Sequence, residues 1–190
     1  MRHIWRCVFV IAVFVACGTT GCSSSGTPGS QTPFAAKASP SASPTAQQEL
    51  RRYFSDLKPL DKVSKQSDAV GKQLDKSWEN DAMSTWGAAV KLYGRELKLD
   101  EEATVIIGAV EPPSTLSKAH GRLLKAYKMG TDMDYWIKEN IRLRVPYTQW
   151  WKQWERRYQA FMTQYRAWRV EVKIQARKLG VPIPAWLFAF

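Results

Sequence analysis

The sequence predicts an all-α protein: an up-down-up-down four-helix bundle that follows a signal peptide and a disordered linker. Three observations predict it. A short apolar run stands directly behind a basic N-terminal segment. A stretch rich in Ser, Gly, Pro, Thr and Ala comes next, with almost no large apolar group. Beyond Ala46 the apolar residues recur at spacings of three and four, the period of a helix packed on one face. No alternating run is long enough to be a strand. The chain divides into a lipoprotein-type signal over 1–21, a flexible linker over 22–46 and a helical-bundle domain over 47–190.

Arg2 and Arg6 make the first six residues basic, and residues 7–17 are apolar. As a helix that run covers about 16 Å at ~1.5 Å per residue, against the ~30 Å hydrocarbon core of a bilayer. It fits the hydrophobic part of an export signal better than a membrane span. Thr19, Thr20 and Gly21 are small enough for an extended chain in a peptidase cleft, and Cys22 follows with a thiol that can be acylated. Cleavage before Cys22 makes it the first residue and the site of lipid attachment, such as palmitate. An ordinary secretory signal cut between Ala16 and Gly21 is the alternative. All three cysteines, Cys7, Cys17 and Cys22, lie in this region, so cleavage leaves one thiol. The exported domain is then held by its core and not by disulfides. Residues 23–46 hold one charge, Lys37, and one large apolar group, Phe34. Such a stretch cannot bury enough surface to offset its ordering entropy and reads as a spacer of roughly 25–30 Å reach.

The first helical region spans Ala46 to Trp78. Leu50, Tyr53, Phe54, Leu57 and Leu60 form a stripe that Val63, Val70, Leu74 and Trp78 continue after a slip in register. Pro59 removes a donor and clashes with the preceding turn, so a kink or break is expected there. The second region spans Asp81 to Ala109, with Met83, Trp86, Val90, Tyr93 and Leu97 as its stripe. Asp100-Glu-Glu102 interrupts that stripe, residues 105–107 resume it, and Pro112-Pro113 ends the helix. The third opens at Ser114 or Thr115, either of which can cap free N–H groups. Leu116, His120, Leu123, Tyr127, Ile137 and Ile141 line its face, which Gly130 and Asp134 weaken in the middle. The fourth runs from Pro146 to Lys178. Tyr147, Trp151, Trp154, Tyr158, Phe161, Tyr165, Trp168 and Val172 form an unbroken heptad seam, and Gly180 and Pro182 stop it. Four stripes can satisfy one another within one chain, which favours a bundle over a coiled-coil oligomer.

Length and composition fit one globular domain: 190 residues, 45% hydrophobic and 24% charged. The net charge is +11, and loss of Arg2 and Arg6 leaves +9. Residues 48–114 carry 10 Lys/Arg against 12 Asp/Glu, whereas residues 115–180 carry 15 against 5. The basic C-terminal half suits anionic headgroups or an anionic envelope polymer. A solvated surface is the plainer alternative, and export argues against nucleic acid. Lys152, Arg156, Arg157, Arg166, Arg169, Lys173, Arg177 and Lys178 lie on the polar sides of the fourth helix.

Pro112-Pro-Ser-Thr-Leu116 with His120 and Leu123, the closing Leu179-Gly-Val-Pro-Ile-Pro-Ala-Trp186, and Thr19-Thr-Gly-Cys22 together carry a resemblance. The chain is similar to small bacterial lipoproteins that place a helical bundle behind a Ser/Pro/Thr linker. Thr19 departs from their lipobox, which usually has an aliphatic residue there. The resemblance implies fold and location and no activity.

Residues able to carry chemistry are few. His120 is the one histidine left after signal removal. Zinc needs three or four ligands, and there is no second histidine and no spare cysteine. Glu-x-x-His pairs and paired-carboxylate motifs are absent, so no metal and no cofactor are expected. A lone histidine among apolar positions reads as a core residue whose ring bonds a neighbour. Trp150, beside the seam, is the candidate interface residue, and Trp186 belongs to an apolar ending that either folds back or offers a patch. No phosphate loop or activated nucleophile is present. The function expected is a non-enzymatic, lipid-anchored, extracytoplasmic interaction or envelope module whose protein partner the sequence does not specify. The alternative is a carrier of a small apolar or anionic ligand near His120.

The signal reading has a direct test. Intact-mass analysis of the mature protein is expected to show an acylated N-terminal Cys22 in wild type and no acylation in Cys22→Ser. An unacylated wild-type N-terminus would show the lipid assignment to be wrong.

Overall fold

The structure, a computed structural model, describes residues 44–79 and 86–188. The signal, Cys22, most of the linker and Met83 lie outside these residues, as does the side chain of Trp78. Among the described residues the fold is all-helical, with no strand. Five α-helices follow in order: α1 Pro44–Asp56, α2 Pro59–Glu79, α3 Trp86–Ala109, α4 Ser117–Arg142 and α5 Tyr147–Leu179. Short 3₁₀ turns cover Ser114–Leu116 and Ala185–Phe188.

The break expected at Pro59 is present: α1 stops at Asp56 and α2 starts on the proline itself. Proline costs least in the first turn, where its missing donor would have had no partner. The apolar line of α1 is buried at Leu50, Tyr53 and Phe54 and continues buried through Leu57 in the turn to Leu60 in α2.

Two expectations change at the helix starts. Neither Ser114 nor Thr115 caps α4 through its side chain. The Leu116 N–H instead donates to the Pro113 carbonyl at 2.8 Å, so the helix is entered by a tight 3₁₀ turn. In α3 the buried line is rotated from the apolar stripe. Ala89, Tyr93, Glu96, Ala103 and Ile107 are buried, Trp86, Val90 and Leu97 are half-buried, and Val105 is exposed. The apolar residues alone mark the edge of the packed face, because two of its central positions are acidic.

α5 ends as its sequence requires. Gly180 takes the left-handed conformation at φ 63°, and the Val181 N–H donates back to the Ala176 carbonyl at 2.9 Å. Pro182 and Pro184 then turn the chain back, and Leu187 is fully buried with Trp186 and Phe188 packed beside it. The apolar ending thus folds onto the domain.

Consecutive helices pack on one another, α2 on α3, α3 on α4 and α4 on α5, and α1 reaches α5. The start of α1 lies beside the end of α5, where Gln47 donates to the Leu179 carbonyl at 2.9 Å. Further along, Trp168 Nε1 donates to the Tyr53 hydroxyl at 3.1 Å. The seam of α5 is a ladder of aromatic rings. Trp154 and Tyr158 stack at 5.3 Å, Phe161 and Tyr165 at 6.1 Å, and Phe188 caps Trp168 edge-on at 5.6 Å. Contacts of this kind add about 0.5–1.5 kcal/mol each to the burial of the rings.

The buried side chains fall into two apolar clusters. One gathers Tyr53, Ile107, Leu123, Trp168 and the folded-back Leu187. The other gathers Leu74, Tyr93, Ile137, Trp150 and Trp154. Tyr53 links three helices in the first, so Tyr53→Phe strands the Trp168 N–H and a ring nitrogen of His120. Urea unfolding is expected to show a loss of about 1–3 kcal/mol, the cost of buried groups left unpaired.

Candidate functional site

Between the two clusters lies a polar layer to which three helices contribute. Glu96 and Asp100 come from α3, spaced i, i+4 on the line of Tyr93, and Asp134 comes from the middle of α4. One carboxylate oxygen from each of the three lies within 4.8 Å of the others. Glu96 is 6% and Asp134 8% exposed, and Asp100 is half-buried. From α2, Ser67 Oγ donates to Glu96 Oε1. Gly130 makes room for the layer: a Cβ at that position would stand 2.8 Å from Asp100 Oδ2.

The carboxyls are held against water and against each other. Burial pushes the Asp100 carboxyl up to about 8, with the Glu96 charge adding to the rise. Burial, then the charges of Asp100 and Glu96, raise Asp134 well above the ordinary carboxylate range. Burial raises Glu96 as well, although the Ser67 hydroxyl opposes the rise. No ion pair among the described residues includes any of the three. The rim is phenolic. Tyr93 is 1% exposed, and its hydroxyl has no hydrogen-bond partner among the described residues. The carboxylates acting on it most are those of Asp134 and Glu96. Tyr127 feels Tyr165 and Asp100 in the same way.

Sequence reasoning missed this cluster, because the absence of a paired-carboxylate motif says nothing of carboxylates brought together from different helices. The residues come from different helices, so no local spacing announces them. The available signal was the pair of defects in the apolar stripes, Asp100 in the second region and Gly130 with Asp134 in the third.

The residues singled out from sequence sit elsewhere. His120 is buried in the first cluster, roughly 21 Å from Asp134 along α4 at ~1.5 Å per residue. Its Nδ1 lies 3.2 Å from the Tyr53 hydroxyl, and its ring also bonds the Ile107 backbone carbonyl. Trp168 Nε1 donates to the Tyr53 hydroxyl, the hydroxyl shares a hydrogen bond with Nδ1, and the ring bonds the Ile107 backbone. Burial lowers the pKa of His120. The ring is engaged by Tyr53 and the Ile107 backbone, so the carrier reading draws no support from this geometry. Trp150, singled out as a candidate interface residue, is buried: it is 5% exposed, and its Nε1 donates to the Val145 carbonyl at 3.1 Å. Trp136 and Tyr147 pack edge-on against its ring. Trp186 is half-buried under the Lys58 ammonium, 5.0 Å from its ring, and borders a surface groove of about 280 Å³ with Arg51 and Phe54.

The basic residues of α5 divide in two. Arg157 lies over the Trp136 ring at 4.9 Å and Arg169 over Phe188 at 4.8 Å, both half-buried. Lys152, Arg156, Arg166, Lys173, Arg177 and Lys178 are exposed. Comparison with protein-family models, curated proteins and solved structures gives no match.

The acidic layer dictates a pH dependence. Asp100 keeps its proton to about pH 8 in the folded state, against 3.8 as its ordinary value. The folded state therefore binds more protons than the unfolded one between these values, and stability falls as pH rises through that window. His120 has the opposite sign, because its neutral ring is favoured and its contribution is lost as pH falls below 6.5. In EDTA, the melting temperature is expected to drop by roughly 5–10 °C from about pH 6.5 to about pH 9, and Asp100→Asn to flatten the drop. An unchanged profile in Asp100→Asn would contradict the assignment.

Proposed function

We propose that the chain is a lipid-tethered, extracytoplasmic and non-enzymatic helical module of the cell envelope, akin to small bacterial lipoproteins. In this reading α1 and α2 are two halves of one bent leg, and the four legs run up-down-up-down. The linker joins the domain where α1 begins, at the end where α5 stops. That end would face the membrane.

One observation carries the reading. On the last turns of α5, Val170 and Ile174 are 54% and 50% exposed, and Arg166, Lys173, Arg177 and Lys178 are exposed around them. Exposed aliphatic groups among basic ones suit a helix that rests on anionic headgroups, with each cation near the surface worth about 1 kcal/mol. The Gln47–Leu179 contact supports this reading, because it brings the start of α1 to the same end of α5. An acyl chain combined with a basic patch anchors far more firmly than either alone. No helix among the described residues is long and apolar enough to cross a membrane.

The test uses the unlipidated Cys22→Ser chain, so that the face acts alone. It is expected to co-sediment with anionic vesicles at low salt, and to lose them as salt screens the charges. Reversal of Arg166, Lys173, Arg177 and Lys178 to Glu should weaken binding at least about tenfold. Binding that resists both salt and the reversals would overturn the proposal.

A further inference from the structure

The acidic layer raises a question that the envelope reading does not answer. Three carboxyl groups converge in the middle of a helical core, and none forms an ion pair with a cation among the described residues. Lys138, four residues beyond Asp134 on α4, reaches toward α3 at Gly94, two residues before Glu96, and forms no ion pair with the carboxylates. Buried charge is costly unless it is neutralised by a partner, a proton or a metal ion. A cluster of acids alone does not identify which. The Tyr93 hydroxyl supplies the independent observation: it is buried, within reach of the charges of Asp134 and Glu96, and without a hydrogen-bond partner among the described residues. Glu96 Oε2 is buried and unpartnered in the same way. An ion with its bound water would offer these two atoms both a ligand position and a donor.

We infer that Glu96, Asp100 and Asp134 form a binding site for one hard divalent cation, Ca²⁺ or Mn²⁺, with Tyr93 and Ser67 as the hydrogen-bonding shell around it. The geometry fits a single ion. Metal–oxygen bonds of roughly 2.1–2.4 Å allow ligand oxygens to stand up to about 4.8 Å apart across one coordination sphere, and the three oxygens meet that limit. The donor set is all oxygen, which selects hard ions over zinc or copper. His120 is too far along α4 to join it. Mg²⁺ gives up its water reluctantly and demands a near-ideal octahedron, which a largely buried site serves poorly. Three carboxylates against a charge of +2 leave one unit of negative charge. The hydroxyls of Ser67 and Tyr93 stand where they can donate to it. The half-buried Asp100 is the way in from solvent. Around the site, Asp68 on α2 adds acidity near Glu96, and Tyr127 and Tyr165 close the side toward the other apolar cluster.

The test is titration of the full chain in detergent with MnCl₂ and with CaCl₂ at about pH 7.5, read by calorimetry and by melting temperature. One ion per chain is expected, with a rise in melting temperature that grows with ion concentration. Asp134→Asn and Glu96→Gln should each weaken binding by roughly 30-fold or more. Their folding stays readable, because a neutral amide removes repulsion: without metal, Asp134→Asn should melt at or above wild type. Tyr93→Phe should weaken binding by a smaller factor, about three- to tenfold, as expected of a shell residue. Affinity should fall at least tenfold between about pH 7.5 and about pH 6 as protons compete for the carboxyls. The inference is overturned if neither ion binds at millimolar concentration. It is equally overturned if binding survives in the Glu96→Gln, Asp134→Asn double variant, which would locate the ion elsewhere. The vesicle experiment on α5 reads a different surface, so either result leaves the other intact.

Discussion

Carrying Glu96, Asp100 and Asp134 into the space between two apolar clusters costs free energy that the clusters on either side must offset. The layout around the layer follows from that requirement. The first cluster is built on Trp168, Tyr53 and Leu123, the second on Tyr93, Ile137 and Trp154. Each buries several large side chains at roughly 1.5–3 kcal/mol apiece. Residues that could have filled the layer are kept small or polar: Ser67 on α2 and Gly130 on α4. On the α5 side the half-buried rings of Tyr158 and Phe161 bridge the two clusters, stacked 6.4 Å apart. The aromatic ladder thus runs past the acids without a gap and keeps α5 in register with both halves of the core.

The same layer explains what could be read from the sequence. The all-helical class, the break at Pro59, the α5 seam and its Gly180 stop rest on local rules: period, ring closure and positive φ. Local rules act within a turn or two, and a sequence displays them. The stripe of α3 did not read correctly for a related reason. Its packed line runs Ala89, Tyr93, Glu96, Asp100, Ala103 and Ile107, an unbroken pattern of fours and threes. Only some of those residues are apolar, so weighting by hydrophobicity rotated the face toward Trp86, Val90 and Leu97. Trp150 failed in the complementary way. A tryptophan beside a seam has two neighbouring helices to choose from, and the edge-on contact with Trp136 of α4 is invisible until the helices are placed. His120 read correctly as a core residue, but its partners Tyr53 and Trp168 are far away in sequence.

The two polar devices of the core differ in kind. The chain from Trp168 through Tyr53 and His120 to the Ile107 carbonyl is closed, with every donor matched to an acceptor. Burial pushes the Tyr53 phenol up to about 12 and the His120 ring down, so both stay neutral across physiological pH. It fixes α1 to α4 and α5 at a place the solvent does not influence. The acidic layer is open in the opposite sense: its acceptors outnumber its donors, and its charge depends on what the solution supplies. A closed network specifies one structure, while an under-supplied one responds to its surroundings.

That difference assigns each device to a part of the molecule. The closed chain sits in the cluster shared by α1, the end of α5 and the folded-back Leu187. Neutral hydrogen bonds in a packed core hold their geometry whatever the pH. The open layer lies where α2, α3 and α4 meet. Protons neutralise Asp100 up to about pH 8, and above that the layer gains charge and is in need of a counter-ion. α2 is joined to the layer through the single hydroxyl of Ser67. Its hold on α3 is therefore the contact most exposed to the state of the carboxyls. In the proposed cation site protons and cations compete for the same oxygens, and Ser67 couples α2 to the outcome.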